Sequence, residues 1–347
     1  MGRTGAETEV EMPRKPSVSP KTLLIIRYAL VIVVVGFAVY YLAGQWQDVQ
    51  ETIAVISWPS LALSLALVLV GLAFGTLSWV TILNGLGPKV PLLRASQVLL
   101  VGQLGKYVPG SVWSYVMQME LGRQYGILRP RVLVTALYAA GIGVVASLIL
   151  GGLALPVVVE GHEWTLWLFV LLPIGLVCLH PRIMTWLASA VLKLFRRPPL
   201  EHRVTWRAVL GALGWSLLSY VAYGLHLWVL VNSLVDPDLG TLILLTGAIS
   251  LGFTLGLLAF FLPSGIGVRE AILIGAMGVL LTVSQATAIS LVSRMLFTLG
   301  DLIAAGVAIV FVLLMRRRLA REQLEYLREE VRYEHGRSSD ESVEAPK

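Results

Sequence analysis

Six long stretches nearly free of charge dominate this chain, at residues 22–43, 58–83, 132–157, 164–180, 206–232 and 285–315. A helix of about 20 apolar residues crosses the roughly 30 Å of a bilayer's hydrocarbon core, so each run is long enough, or nearly so, to span one. Inside hydrocarbon every backbone N–H and C=O must be satisfied within the segment, which makes these runs helices. Only 14% of the residues are charged, against about 25% in soluble domains. The implied fold class is all-α, a polytopic membrane helical bundle. The formal net charge of +6 does not indicate nucleic acid. The basic residues sit in short clusters beside apolar runs, where anionic headgroups would meet them. Cys178 is the single cysteine, which excludes a disulfide framework and a thiolate metal site. No metal and no cofactor are expected.

Two further apolar stretches are each interrupted, 95–121 at Pro109-Gly110 and 241–281 at Pro263-Ser264-Gly265. Proline removes a backbone donor and clashes with the preceding turn, so each stretch should be two helical limbs joined by a bend. Lys and Arg set the orientation. Apart from Arg27, Lys106, Arg269 and Arg294, they lie in the tail 1–21, around Lys89 and Arg94, at Arg123, Arg129 and Arg131, between Arg182 and Arg207, and after Met315. Segments 44–57, 158–163, 233–240 and 282–284 have neither residue. The positive-inside rule makes the first set cytoplasmic and the second external, with both termini inside a cell membrane. Each broken stretch must then enter and leave on one side. The first limb of the second stretch is also long enough to cross completely, which would give two spans with the same parity.

On this topology the chain divides into a disordered cytoplasmic tail (1–21), a membrane domain (22–315) and a charged cytoplasmic tail (316–347). The membrane domain contains an inverted repeat. Residues 58–157 read as span, broken re-entrant hairpin, span, and residues 206–315 repeat that unit in the opposite orientation. About six full spans and two hairpins result. Proline- and glycine-interrupted segments at matching positions of inverted halves point to a transporter's binding site. Ordinary proline kinks packed against neighbouring helices are the plainer alternative.

Ionisable side chains within apolar segments cost about 2.5–3.5 kcal/mol at a helix centre. The deeper ones are Lys106, before the first break; Arg269 and Glu270, opening the second limb of the second hairpin; and Arg294 and Asp301, two turns apart on the last span. Three cations against two carboxylates leave one positive charge over, which would suit a phosphate group. The second limbs begin at Ser111 and near Gly265, and free N–H groups at helix starts favour anions. Gly110, Gly265 and Gly267 would let backbone approach a ligand, with Ser264 beside them. A structural reading remains open, with Arg294–Asp301 or Glu270–Arg294 as ion pairs holding helices in register. Glu120 and Arg123 read as interfacial residues, and Arg27 as a snorkelling anchor. Tyr107, Trp113 and Tyr115 are headgroup-facing or interfacial aromatics. His226 reads as a hydrogen-bonded packing residue. The small-xxx-small pairs Gly71/Gly75 and Gly252/Gly256 read as close helix contacts. Residues 183–195 resemble an amphipathic surface helix, and 316–332 a helical extension of the last span.

The stretches Leu104-Gly105-Lys106-Tyr107-Val108-Pro109-Gly110-Ser111-Val112-Trp113 and Leu262-Pro263-Ser264-Gly265-Ile266-Gly267-Val268-Arg269-Glu270 resemble the two signatures of the lysylphosphatidylglycerol synthase transmembrane family, a flippase-like membrane domain. The resemblance covers about residues 20–315, with Ser264 standing where the family pattern has a glycine. It implies handling of an anionic lipid or lipid-linked sugar. Two-domain members carry a soluble aminoacyl transferase after the membrane region, whereas 32 residues follow here, so aminoacylation on this chain is not expected. The expected function is a flippase-type lipid transporter and not an enzyme, moving an anionic phospholipid or polyprenyl-phosphate-linked lipid between leaflets. The alternatives are an intramembrane lipid phosphatase or glycosyltransferase, or a non-transporting partner of such an enzyme. Expected partners are the lipid and the bilayer, with no nucleic acid. A homo-oligomer or a complex with a lipid-modifying enzyme is compatible with the sequence.

Overall fold

The computed structural model describes residues 46–107, 112–158, 204–259, 265 and 267–343, with scattered positions between 173 and 189. The expected first span (22–43), most of the fourth (164–180) and of the surface helix 183–195, the tail 1–21, and residues Pro109, Gly110, Ser111, Pro263 and Ser264 lie outside the described residues.

Every regular element among the described residues is helical. In order they are α1 (Trp46–Val55), α2 (Trp58–Gly85), α3 (Leu92–Gln103) continued by a 3-10 turn (Leu104–Tyr107), α4 (Val112–Gln124), α5 (Arg129–Val158), α6 (Trp206–Val231), α7 (Leu239–Leu258), α8 (Val268–Met277) and α9 (Val283–Val343). Among the described residues, five stretches are long and apolar enough to cross a bilayer: Trp58–Gly85, Arg129–Ala154, Trp206–Val231, Leu239–Leu258 and Val283–Leu314. The sequence-derived spans at 58–83, 132–157, 206–232 and 285–315 fall on α2, α5, α6 and α9. The two broken stretches differ. At about 1.5 Å per residue, α3, α4 and α8 reach only about 15–20 Å, whereas the 20 residues of α7 reach about 30 Å.

Local signals set the helix ends. Ser57 caps α2, its Oγ accepting from Ser60 N at 3.3 Å, and Pro59 occupies the first turn, where its missing N–H is harmless. Asp238 caps α7 by accepting from Thr241 N (2.8 Å) and Thr241 Oγ1 (2.7 Å), and these bonds hold its carboxyl below the usual range. Segment 44–57, expected as a loop, contains α1. Val49, Thr52 and Ile56 recur at helical spacing and are buried, Ile53 is half-buried, and Gln50 and Glu51 face outward. The external turn expected at 282–284 is likewise shortened, since α9 starts at Val283.

The long antiparallel contact of α2 with α6 forms the axis of the bundle. Polar pairs run along it. Ser64 Oγ meets His226 Nδ1 (2.5 Å), Ser219 Oγ donates to Gly71 O (2.7 Å), and Ser78 Oγ donates to Ala212 O (2.9 Å). A Cβ on Gly71 would run into the Tyr223 ring, so the glycine sets how closely these helices approach. On one flank α7 packs against α5, and on the other α9 packs against α3. The largest apolar cluster joins α2, α6, α7, α8 and α9 through Val68, Leu227, Ile249, Leu273, Met277 and Ile289.

Candidate functional site

The tight contacts within each hairpin fall on glycines. In the first, a Cβ on Gly105 would meet Ser114 backbone at 2.7 Å, and one on Gly102 would meet Gln118. In the second, a Cβ on Gly265 would meet Gly256 Cα at 2.7 Å, and one on Gly252 would meet Arg269 at 3.3 Å. Gly265 (φ +66°) and Gly267 (φ +89°) carry the chain through left-handed conformations into α8, which other residues rarely adopt. The spacing of Gly252 and Gly256 is therefore a hairpin contact, made with the limb that bears Arg269.

Between the hairpins and α2, α5, α6 and α9 lies a cavity of about 390 Å³. Lys106, Gly265, Arg269, Arg294 and Asp301 line it. Glu270, not itself part of the lining, pairs with Arg294 at its margin. Residues far apart in sequence are thus brought together, although Gly110, Ser111 and Ser264 fall outside the described residues.

The ionisable residues form two pairs and a remainder. Lys106 Nζ lies 2.6 Å from Asp301 Oδ2, and the same oxygen accepts from Tyr107 OH at 2.6 Å. Arg294 Nη1 pairs with Glu270 Oε1. Arg294 and Asp301 share a face of α9 as expected, but they are partnered separately, to α8 and to the first hairpin, so the Arg294–Asp301 pair is not formed. At the start of α8, Gly267 N donates to Glu270 Oε2 at 2.7 Å, the glutamate half of a capping box, while glycine has no side chain to return the bond. Glu270 is thereby held by both a helix end and a guanidinium.

Arg269 is the remainder. No carboxylate pairs with it and no hydrogen bond reaches it among the described residues, and its Nη2 is sealed from solvent without a partner. Its guanidinium lies between the rings of Phe253 and Phe297, 4.1 Å from each centroid. Such stacking is worth about 0.5–2 kcal/mol per ring, but it leaves the donors empty, and an unmet buried donor costs about 1–3 kcal/mol. Among the described residues the guanidinium is thus gripped by aromatic faces while its buried Nη2 has no acceptor. Trp79 Nε1 and Gln118 Oε1, also in the cavity wall, are buried without partners too.

The sequence alone did not single out Trp79, Gln118, Phe253 or Phe297, because apolar and amide residues within apolar helices give no signal of what they face. His226 is fully buried, with Nδ1 against Ser64 and Nε2 against Ser293 Oγ (2.9 Å), the packing role expected of it. Glu120 bridges Arg123 and Arg129, both at 2.6 Å, on an exposed surface. Arg131 is different from a rim cation. It is buried and donates to Leu83 O and Pro88 O, both at 2.7 Å, tying the turn after α2 to α5.

Helices of spanning length packed around a charged cavity define a multi-pass helical membrane protein. Over residues 24–306 the chain matches the lysylphosphatidylglycerol synthase TM region. It belongs to that family, with the membrane lipid-related role the family carries. No match was found among curated proteins.

Proposed function

We propose that the protein is a lipid transporter of flippase type, in which an anionic headgroup enters the cavity while its chains remain in the bilayer. The observation that carries this reading is Arg269, a cation in the cavity wall with no carboxylate or hydrogen-bond partner among the described residues, where the other described charges cancel. A lipid phosphate supplies what that guanidinium lacks. The cavity, at about 390 Å³, suits a headgroup and is too small for a whole diacyl lipid.

The packing supports an inverted repeat. If α2–α5 and α6–α9 are equivalent units, α2 faces α6 across a pseudo-two-fold axis, and the α7–α5 contact has its counterpart in α3–α9. The glycine contacts match as well, Gly105 with Ser114 and Gly256 with Gly265. The three short limbs α3, α4 and α8 favour re-entrant hairpins, and the length of α7 favours a full crossing there. Two such units rocking about α2 and α6 would expose the cavity to each side in turn.

The test is leaflet-resolved movement of a labelled anionic phospholipid in proteoliposomes, paired with thermal unfolding in detergent. Arg269→Gln is expected to abolish movement while the protein remains inserted and stable. Unchanged movement would remove the basis of the proposal. The proposed orientation, with both termini and segment 182–207 cytoplasmic in a cell membrane, predicts which sites an impermeant thiol reagent reaches in a Cys178-free background. Cysteines at Asp48, Glu160 and Asp236 should react from outside in intact cells. A cysteine beside Arg196 should not, and its labelling would reverse the topology.

A further inference from the structure

The corresponding hairpin contacts put Gln118 of the first hairpin in the place that Arg269 takes in the second. Gly105 lies against Ser114 and Gly256 against Gly265, nine residues on in both cases (105 to 114, 256 to 265), while Gly102 meets Gln118 and Gly252 meets Arg269. Both side chains line the one cavity and both carry a buried polar atom without a partner. Of the five such atoms among the described residues, three belong to cavity-lining residues: Trp79 Nε1, Gln118 Oε1 and Arg269 Nη2. Two are donors and one is an acceptor, and the Gln118 amide can present either end after a half-turn. Buried polar groups are ordinarily satisfied, so three unpartnered groups at one cavity mark a place suited to a ligand with both acceptor and donor atoms.

Four of the serine and threonine hydroxyls in the wall sharpen this. Thr76 Oγ1 donates to Leu72 O (2.8 Å), Ser219 Oγ to Gly71 O (2.7 Å) and Thr298 Oγ1 to Arg294 O (3.0 Å). Ser147 Oγ gives its proton to Val144 O (2.8 Å), so Thr254 must be the donor in the 2.6 Å contact between their hydroxyls. With their protons committed, these groups have only lone pairs to offer, and what they can bind is a donor. Charge limits which donor. Lys106 with Asp301 and Arg294 with Glu270 cancel, and Arg269 leaves the site at +1. A single phosphodiester charge closes that balance, while an added ammonium reopens it. The Phe253 and Phe297 faces are already occupied by the Arg269 guanidinium, whose positive charge opposes a second cation beside it.

Resting on the lipid-headgroup reading above, we propose that the cavity selects a monoanionic phosphodiester lipid whose headgroup is uncharged and bears hydroxyl groups. The phosphate sits on Arg269 and Trp79, and a headgroup hydroxyl meets Gln118 and the lone pairs of the wall. Glycerol and sugar headgroups belong to this class. Ethanolamine, choline and aminoacyl headgroups do not.

The test uses the full chain in nanodiscs of neutral lipid and measures retention of three defined probes by native mass spectrometry. Phosphatidylglycerol carries one negative charge and two headgroup hydroxyls. Phosphatidylethanol keeps the charge and lacks the hydroxyls, and phosphatidylethanolamine adds an ammonium. Phosphatidylglycerol is expected to be retained about threefold to tenfold better than phosphatidylethanol, the worth of one or two neutral hydrogen bonds. Gln118→Met, which conserves volume, should remove that preference without weakening phosphatidylethanol. Arg269→Gln should weaken both anionic lipids by about tenfold or more. Equal retention of the two anionic lipids would overturn the proposal, as would a preference for phosphatidylethanolamine or a preference that survives Gln118→Met. Displacement by soluble glycerophosphoglycerol at concentrations comparable to the lipid would assign the site to a free phosphodiester and overturn the lipid assignment. The probe series on the unaltered protein decides the matter even if a variant misfolds. Failure of transport is separable, because lipids can be retained selectively without moving between leaflets, and can move without headgroup preference.

Discussion

Lys106 and Asp301 lie at unequal depth, whereas Arg294 and Glu270 are similarly exposed, and depth sets what a substitution costs. The Asp301 side chain is 3% exposed and Lys106 is 31% exposed. Removing Lys106 strands a carboxylate that cannot reach water and keeps only the Tyr107 hydroxyl. Removing the charge of Asp301 leaves an ammonium that can turn into the wet cavity. Lys106→Met is therefore expected to destabilise by about 3–5 kcal/mol, the cost of an uncompensated buried charge. Asp301→Asn should cost about 1 kcal/mol, closer to the loss of an exposed pair. Urea-free thermal unfolding in a fixed detergent orders the two variants, and the reverse order would contradict the burial argument. The sequence made these charges visible, since a lysine or aspartate in an apolar run has few explanations. The Glu270–Arg294 pair was among the pairings read from the sequence, and the structure forms it. The partner of Asp301 was not visible, because it depends on packing against Lys106, nearly 200 positions away.

At the scale of elements, glycines divide into those that hold helices together and those that merely weaken them. Gly105→Ala would push a methyl group against Ser114 backbone, and Gly265→Ala would force both a backbone clash with Gly256 and a left-handed conformation on alanine. Both should separate the hairpin limbs and lower stability by about 1–3 kcal/mol, as overpacking does. Gly141 in α5 has nothing within 4 Å of its Cβ position. Gly141→Ala should instead stabilise by about 0.5–1 kcal/mol, because alanine is the better helix former. Unfolding midpoints of the three variants test this division. Element boundaries were legible where apolar length and caps agreed, as at Ser57–Trp58 and Thr205–Trp206. Helix α1 was not, because a ten-residue amphipathic helix has neither the length of a span nor the uniform polarity of a loop. The contact of Glu270 with Gly267 N was also hidden, because glycine lacks the side chain that makes a capping box recognisable in sequence.

At the scale of the whole molecule, transport by two rocking units requires α5 to move relative to α7, or α3 relative to α9, at each cycle. Ser147 and Thr254 hold the first of these contacts, with hydroxyls 2.6 Å apart in a buried setting. Ser147→Cys together with Thr254→Cys, in a Cys178→Ser background, places two thiols across that contact where oxidation or a short bifunctional reagent can join them. Ser147 lies outside the cavity lining, so Ser147→Cys alone should leave lipid movement nearly unchanged, whereas Thr254 lines the cavity and Thr254→Cys alone sets the baseline against which the effect of joining is read. The joined protein should lose movement and recover it on reduction, since the bond fixes one arrangement of the units without touching Arg269, Gln118 or Trp79. Lipid retention should meanwhile survive, because the cavity remains formed in the arrangement that was trapped. Movement that persists after complete joining would show that α5 and α7 travel as one body, and would shift the moving contact to α3 and α9. Movement that also persists when Lys106 and Asp301 are replaced by a joined cysteine pair would exclude rocking of these units as the mechanism.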